Sequence, residues 1–299
     1  MQELLLQDEA TDLFRQSDSC NPFVRPMNLY VRRKLRRNLK LMANFKPHFV
    51  RKNAMSALNR VDSNLSIDPE QGFVAIPPGF ISQIGKVAEM ARKIWNENRA
   101  MLETEPGYFI KLDSLVGRER IRFVSDVLLQ PEIIKLAADY LGQIPILKDM
   151  NIWWTRPIPE RVGAQNFHID SIPDTRSLRY LISLTDVDED CGPLHVIPAN
   201  ETKRIVKKLG YLGGAISPRF LEQECSPGCI KKMTGPVGTG VAIDTGRCFH
   251  FGSRAMKRDR LVLSISLSTY LMDEEINNQL DWVENPGRLA DHERMILFP

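Results

Sequence analysis

The chain has 299 residues, of which 43% are hydrophobic and 26% charged, and its formal net charge is +3. This composition is typical of a globular protein, and no run of about 18 apolar residues predicts a membrane-spanning helix. The first residues include acids and lack a basic stretch followed by an apolar one, which argues against a signal peptide. Five cysteines, an odd number, favour a reducing, cytoplasmic location over a disulfide framework.

The amino-terminal region is strongly basic. Residues 20–61 contain no Asp or Glu, and in YVRRKLRRNLKLMANF (30–45) apolar residues recur every three or four positions. This pattern predicts a basic amphipathic helix. Docking on the protein's own core is the first interpretation of this helix, and peripheral contact of residues 32–52 with an anionic membrane is the second. No nucleic-acid partner is expected.

The first hundred or so residues are predicted to be mostly helical. GFVAIPPGF (72–80) is the exception, a short strand that ends at two prolines. A helical pattern follows in residues 81–102. Residues 123–142 predict two helices, the second of which begins at Pro131 and ends near Gly142.

Beyond residue 150 the pattern changes to short strands separated by Gly, Pro and Asp, namely NIWWTR, LRYLISLTDV, GPLHVIP, GVAID and RLVLSISLSTY. Such spacing favours a sandwich or barrel, jelly rolls included. In the last strand, alternate positions are aliphatic, whereas the other face carries Arg260 and small hydroxyl residues. That second face fits either a ligand cavity or a solvent-exposed surface.

Three residues are candidate metal ligands. His168 and Asp170 stand two positions apart in AQNFHID, so in an extended chain their side chains project to the same side. His250, which follows the predicted turn at 244–246, is the preferred third ligand, and His195 is the weaker alternative. Two His and one carboxylate leave three positions of an ion open, as in non-haem Fe(II) oxygenases.

Two further features accompany these candidate ligands. Arg260 lies ten residues after His250 and supplies a planar cation that suits the carboxylate of a co-substrate. Cys225 and Cys229 are close in sequence, but no second cysteine pair or His-x3-His accompanies them. Free thiols are therefore expected there instead of a zinc site.

Residues of roughly 70–270 resemble the phytanoyl-CoA dioxygenase family of Fe(II)/2-oxoglutarate oxygenases. The segments that carry the resemblance are GFVAIPPGF, AQNFHID, LRYLISLTDVDEDCGPLHVIPAN, GTGVAIDTGRCFHFGS and RLVLSISLS. The resemblance implies a mainly β protein with flanking helices. Its core would be a double-stranded β-helix of the jelly-roll or cupin type, preceded by a helical amino-terminal region.

The resemblance also implies roles for individual residues. His168, Asp170 and His250 would be the catalytic iron ligands, and Arg260 would bind the distal carboxylate of 2-oxoglutarate. Additional residues implied near the co-substrate are Lys111, Gln165 and Ser253. The sequence departs from the family in the loop at 198–201, where PANE replaces the more usual Pro-Gly-Ser-His, so the substrate is less well defined than the cofactors.

These features predict a basic helical extension at 1–65, an oxygenase domain at 66–275 and a carboxyl-terminal tail at 276–299. The predicted function is a dioxygenase that uses Fe(II), 2-oxoglutarate and O2, with ascorbate as a stimulant, and releases succinate and CO2. It would hydroxylate a small-molecule substrate, with anionic, lipid-linked and glycan-linked molecules all open. A cupin-type metal protein with redox-neutral chemistry and a non-catalytic partner or membrane-surface protein remain the alternatives.

Overall fold

The computed structural model describes residues 45–117, 123–157, 165–170, 176–211, 213–252, 255, 257–269 and 283–298. The basic helix predicted at 30–45 lies outside the described residues except for its last position, and Ser253 also lies outside them. The predicted boundaries at 65 and 275 therefore stay predictions.

Nine strands are present in the described part of the chain. Their bounds are β1 Phe73–Ile76, β2 Phe109–Lys111, β3 Ile146–Thr155, β4 Ser177–Ser183, β5 Leu194–Val196, β6 Lys231–Met233, β7 Gly240–Ile243, β8 His250–Gly252 and β9 Arg260–Ser268. Six of them form one sheet in the order β1-β7-β4-β9-β3-β2, and three form a second in the order β6-β5-β8. Every pairing is antiparallel.

Helices pack against both sheets. The α-helices in the described residues are α1 Phe45–Ala54, α2 Ile84–Leu102, α3 Asp113–Val116, α4 Pro131–Leu141, α5 Ala199–Leu209, α6 Pro218–Glu224 and α7 Asp291–Leu297. A π-helical turn spans Val124–Leu128, and short 3-10 turns span Met55–Leu58, Glu189–Cys191 and Pro286–Arg288. None of the described helices is both long and apolar enough to span a membrane.

The main hydrophobic core lies between these helices and the larger sheet. The buried faces of α2 and α4 contribute to one cluster with the aliphatic face of β9 and with Leu178, Tyr180 and Ile182 of β4. Each of these strands therefore places alternate residues in the core, because successive side chains of a strand point to opposite sides. Burial of this apolar surface, at about 25 cal/mol per Å², is the main force that holds helices and sheet together.

The opposite face of β9 is buried as well, and this decides between the two interpretations of its serines. Arg260 is only 7% exposed and Ser264 only 4%. Arg260, Val262 and Ser264 line a cavity whose walls come from both sheets. The interpretation of this face as a solvent-exposed surface is therefore wrong, and the cavity interpretation is confirmed.

Several predicted elements are confirmed with small changes. The strand β1 ends at Ile76, directly before the two prolines, and α4 begins at Pro131 and is capped by Gly142 with φ of +79°. The sequence pattern did not predict β2, and β3 begins at Ile146, before the predicted strand NIWWTR. Two antiparallel sheets that enclose a cavity, with helices outside, confirm the mainly β class with a jelly-roll-like core.

Candidate metal centre

Main-chain hydrogen bonds bring the three candidate ligands together. The backbone N–H of His168 donates to the carbonyl of His250, and the N–H of His250 donates to the carbonyl of His168, each at 3.0 Å. Two positions on, the N–H of Asp170 donates to the carbonyl of Thr245 at 2.9 Å. The segment 167–170 thus pairs with the turn and strand that carry His250, although some 80 residues separate them in sequence.

The ligand atoms of these side chains converge on one point. The Nε2 atoms of His168 and of His250 each lie 3.7 Å from Oδ1 of Asp170. All three ligand atoms lie within 4.8 Å of one another. Because metal–nitrogen and metal–oxygen bonds are about 2.0–2.2 Å long, one ion placed between these atoms can contact all three.

Hydrogen bonds fix which imidazole nitrogen faces the ion. Nδ1 of His168 lies 2.9 Å from the carbonyl oxygen of Asn166, and Nδ1 of His250 lies 3.0 Å from that of Cys248. A carbonyl oxygen can only accept, so each Nδ1 carries the hydrogen and each Nε2 keeps a free electron pair. This arrangement, in which a backbone carbonyl orients a histidine ligand, is common around protein-bound metals.

The charge states of the site also suit a cation. Burial, together with nearby His168, lowers the pKa of His250 to about 4 against the opposing effect of Asp170, so this imidazole is neutral at neutral pH. Burial alone would raise the pKa of Asp170, but His250, Arg179 and His168 outweigh it and lower the pKa to about 2. The site therefore presents neutral nitrogen and an ionised carboxylate, as metal binding requires.

An arginine that the sequence analysis did not single out completes the surroundings of Asp170. Nη1 of Arg179, on β4, lies 3.2 Å from Oδ2 of Asp170, the oxygen that does not face the histidines. Its Nε donates to Oγ of Ser266 on β9 at 3.2 Å. The sequence signal was a charged residue between Leu178 and Tyr180 in an otherwise apolar strand, which indicates a polar partner inside the fold.

Arg260 lines the same cavity as His168 and His250 and is buried. Its Nε has no hydrogen-bond partner, and no carboxylate pairs with its guanidinium among the described residues. Burial lowers the pKa of Arg260 to about 10, so the side chain is still a cation at neutral pH. A buried cation without a partner fits the carboxylate of a ligand, since a buried charge is costly when it is unpaired.

The space for this arginine depends on a glycine. A Cβ atom at Gly252 on β8 would lie 2.9 Å from Nη2 of Arg260, closer than real Cβ contacts. Glycine at this position lets the guanidinium lie against the backbone of the smaller sheet.

The other predicted site residues lie in different surroundings. Lys111 is exposed on β2, with its Nζ 4.9 Å from the ring centroid of Trp153, and it does not line the cavity, whereas Trp153 does. Gln165 is buried just before the segment that carries His168. Ser253 lies outside the described residues. The roles implied for these three residues stay predictions.

His195, the alternative third ligand, does not join the metal cluster. It pairs with Phe251, and the two rings stack with centroids 4.6 Å apart. Because the next pair along, Val196 and His250, points to the opposite side of the sheet, His195 faces away from the candidate centre.

In a second group of possible metal ligands, the carboxylate already has hydrogen-bond partners within the protein. Glu201 lies near Cys225 and Cys229, with ligand atoms within 4.8 Å of one another. However, its carboxylate accepts two hydrogen bonds from Arg204, at 2.7 and 2.9 Å, and one from the N–H of Ser226 at 2.8 Å. Burial raises the pKa of both thiols, which remain protonated at neutral pH. We therefore assign no metal to this group, in agreement with the free thiols that were expected.

Similarity of this chain to known proteins is found among solved structures. No family model and no curated protein matches the chain. Among solved structures, iron-bound EctD from S. alaskensis aligns with a TM-score of 0.50 over 70% of this chain and 80% of EctD, at 14% sequence identity. This chain has the fold of EctD. The EctD apoform aligns with a TM-score of 0.48 over 80% of this chain and 91% of that chain, at 17% identity.

A further match is the epimerase SnoN in complex with Fe3+, alpha ketoglutarate and nogalamycin RO. It aligns with a TM-score of 0.43 over 73% of this chain and 83% of SnoN, at 17% identity.

Proposed function

We propose that the protein is a non-haem Fe(II)- and 2-oxoglutarate-dependent oxygenase of the phytanoyl-CoA dioxygenase type, built on a double-stranded β-helix. The observation that carries the proposal is a cavity lined by both histidines of the two-His, one-carboxylate cluster and by a buried arginine without a carboxylate partner among the described residues. The fold shared with an EctD structure that holds Fe supports the choice of metal.

Each residue has a specific role in this proposal. His168 and His250 would hold Fe(II) through Nε2, and Asp170 through Oδ1, because these are the atoms that converge. Arg260 would bind the distal carboxylate of 2-oxoglutarate with charge-assisted hydrogen bonds. When bound, Fe(II) would activate O2, the oxidant, which would take two electrons from 2-oxoglutarate and two from a substrate C–H bond, so that one oxygen atom enters succinate with release of CO2 and the other forms the hydroxyl group.

The remaining cavity walls would orient the substrate and exclude water. Leu181, Val241 and Val262 give an apolar lining around the candidate centre. Phe109 and Trp153 stack with ring centroids 4.2 Å apart and an interplanar angle of 6°, and both line the cavity. Such rings offer an apolar surface to a small-molecule substrate at little cost in conformational entropy.

A metal and co-substrate titration separates this proposal from its alternatives. We expect the anaerobic protein to bind one Fe(II), then 2-oxoglutarate, and to form succinate when O2 is admitted, with ascorbate as a stimulant. A cupin-type protein with redox-neutral chemistry would bind metal and form no succinate. A non-catalytic partner protein would bind neither Fe(II) nor 2-oxoglutarate tightly.

We also propose peripheral contact of the amino-terminal region with an anionic membrane, from a cytoplasmic location. Phe49 and Val50 on α1 are each 54% exposed and lie next to exposed Lys46 and Lys52. Apolar side chains flanked by cations suit an anionic lipid surface. The four described cysteines are free thiols, which supports a reducing compartment.

Liposome co-sedimentation tests the membrane proposal. We expect salt-sensitive binding to vesicles that contain phosphatidylserine, and Phe49→Glu should weaken it. Phe220→Glu is the matched control, because Phe220 on α6 is also exposed, at 40%, but lies outside the basic region. Equal sedimentation of both variants with the unaltered protein would contradict the role of α1.

A further inference from the structure

We infer that Arg179 is a positioning residue that keeps Asp170 bound to the metal through Oδ1 alone. The inference rests on the proposed function, since it assumes that the three candidate ligands hold Fe(II). Its basis is that the two carboxylate oxygens of Asp170 have different neighbours. Oδ1 lies 3.7 Å from both histidine Nε2 atoms, whereas Oδ2 lies 3.2 Å from Nη1 of Arg179.

The number of metal positions that Asp170 occupies matters for a chelating co-substrate. Two histidines and a carboxylate bound through one oxygen leave three positions open on an octahedral ion. A bidentate 2-oxo acid and O2 together need all three. If both oxygens of Asp170 bound the ion, only two positions would remain, and the carboxylate would compete with the co-substrate. The ion pair at Oδ2 disfavours this competition, because binding of the metal through Oδ2 would require the carboxylate to give up its contact with Arg179.

The structure holds the guanidinium in place from two sides. Arg179 lies on the central strand β4, in register with Ser266 of β9 and Ile243 of β7. Its Nε donates to Oγ of Ser266, and this small side chain leaves room for the arginine to reach across the cavity wall. Since the side chain is only 30% exposed, solvent and salt screen the pair with Asp170 less than they screen a surface pair.

Arg179 is not equivalent to the arginine that we assign to the co-substrate. Its guanidinium already pairs with Asp170, whereas Arg260 has no carboxylate partner among the described residues. The two arginines also lie six residues apart along β9, because Arg179 is in register with Ser266. At about 3.3 Å per residue this is roughly 20 Å between the two backbone positions, and the long side chains of both arginines line the same cavity.

The test compares Arg179→Met, which keeps an unbranched apolar stem but removes the charge, with Arg179→Lys, which keeps the charge but loses the planar fork. Binding of Co(II) is measured first, and its visible absorption reports the coordination number. Binding of 2-oxoglutarate to the anaerobic Fe(II) protein is then followed by the charge-transfer absorption of the chelate. Arg204→Met is the matched control, because Arg204 pairs with Glu201 on α5, away from the cavity.

We expect Arg179→Met to bind Co(II) within a few-fold of the unaltered protein, with an altered visible spectrum. Its affinity for 2-oxoglutarate should fall by about 10–100-fold, a loss of the size that metal affinity or activity shows when a group that orients a metal ligand is removed. Arg179→Lys should recover part of the affinity, and Arg204→Met should resemble the unaltered protein. Thermal unfolding of each variant establishes that the fold is retained.

Two outcomes would overturn the inference. Unchanged 2-oxoglutarate affinity and an unchanged Co(II) spectrum in Arg179→Met would show that the ion pair has no positioning role. A parallel loss of Co(II) and 2-oxoglutarate affinity in both variants would place the effect on metal binding instead of on the mode of carboxylate binding. If the unaltered protein bound neither Fe(II) nor 2-oxoglutarate, the proposed function itself would fail, which is a separate and recognisable result.

Discussion

The most informative single substitution is Arg260→Ala, because the assignment of 2-oxoglutarate depends on this side chain. Arg260 is 7% exposed, lines the cavity together with His168 and His250 and has an Nε without a hydrogen-bond partner. A charge-assisted hydrogen bond to a carboxylate contributes about 1.5–3 kcal/mol. The apparent Kd for 2-oxoglutarate should therefore rise roughly 10- to 150-fold, since 1.4 kcal/mol corresponds to a factor of ten.

The assay is titration of the anaerobic Fe(II) protein with 2-oxoglutarate, together with the KM for succinate formation. Arg260→Lys should recover only part of the affinity, because an ammonium group lacks the planar fork. Arg258→Ala is the control, since Arg258 is 55% exposed and pairs with Asp188 at the surface. An unchanged KM in Arg260→Ala, or an equal loss in Arg258→Ala, would refute the reasoning.

Three further predictions follow from contacts in the fold. Gly252→Ala should weaken 2-oxoglutarate binding without loss of Fe(II) binding, because the new Cβ would lie 2.9 Å from the guanidinium of the co-substrate arginine; equal 2-oxoglutarate affinity in titration would contradict this. His250→Ala should abolish Fe(II) binding, measured by metal analysis after dialysis, whereas His195→Ala should retain it, because that ring faces away from the centre. Gly240→Ala should lower the free energy of unfolding by about 1–3 kcal/mol in urea titration, because its Cβ would lie 2.3 Å from the carbonyl of a neighbouring strand.

The local structure could be predicted where the sequence carries its own boundary signals. Pro131 and Gly142 delimit α4 because proline suits the first turn of a helix and glycine adopts the left-handed conformation after its last turn. The i, i+2 spacing of His168 and Asp170 likewise predicted that the two side chains share one side. These signals act between near neighbours, so they do not depend on the rest of the fold.

Other features depend on contacts between distant segments. The alternation along β9 identifies two faces but does not distinguish a cavity from solvent. Ser264 is buried because the smaller sheet forms the opposite wall of the cavity. Arg179 meets Asp170 through strand register, which a single sequence does not specify. The helix α5 is a different case. Its apolar positions recur every three or four residues up to Gly210, so periodicity could have found it.

The central claim is that this cavity catalyses 2-oxoglutarate-dependent oxidation. It is tested most directly by measuring the conversion of 2-oxoglutarate to succinate. Purified protein is incubated with Fe(II), O2, ascorbate and 2-oxoglutarate, and succinate is quantified against 2-oxoglutarate consumed. We predict one succinate per 2-oxoglutarate in the unaltered protein, even at the slow rate of turnover without substrate. Asp170→Ala should form none, because it lacks the carboxylate ligand. Equal succinate from both proteins, or none from either with metal bound, would contradict the account.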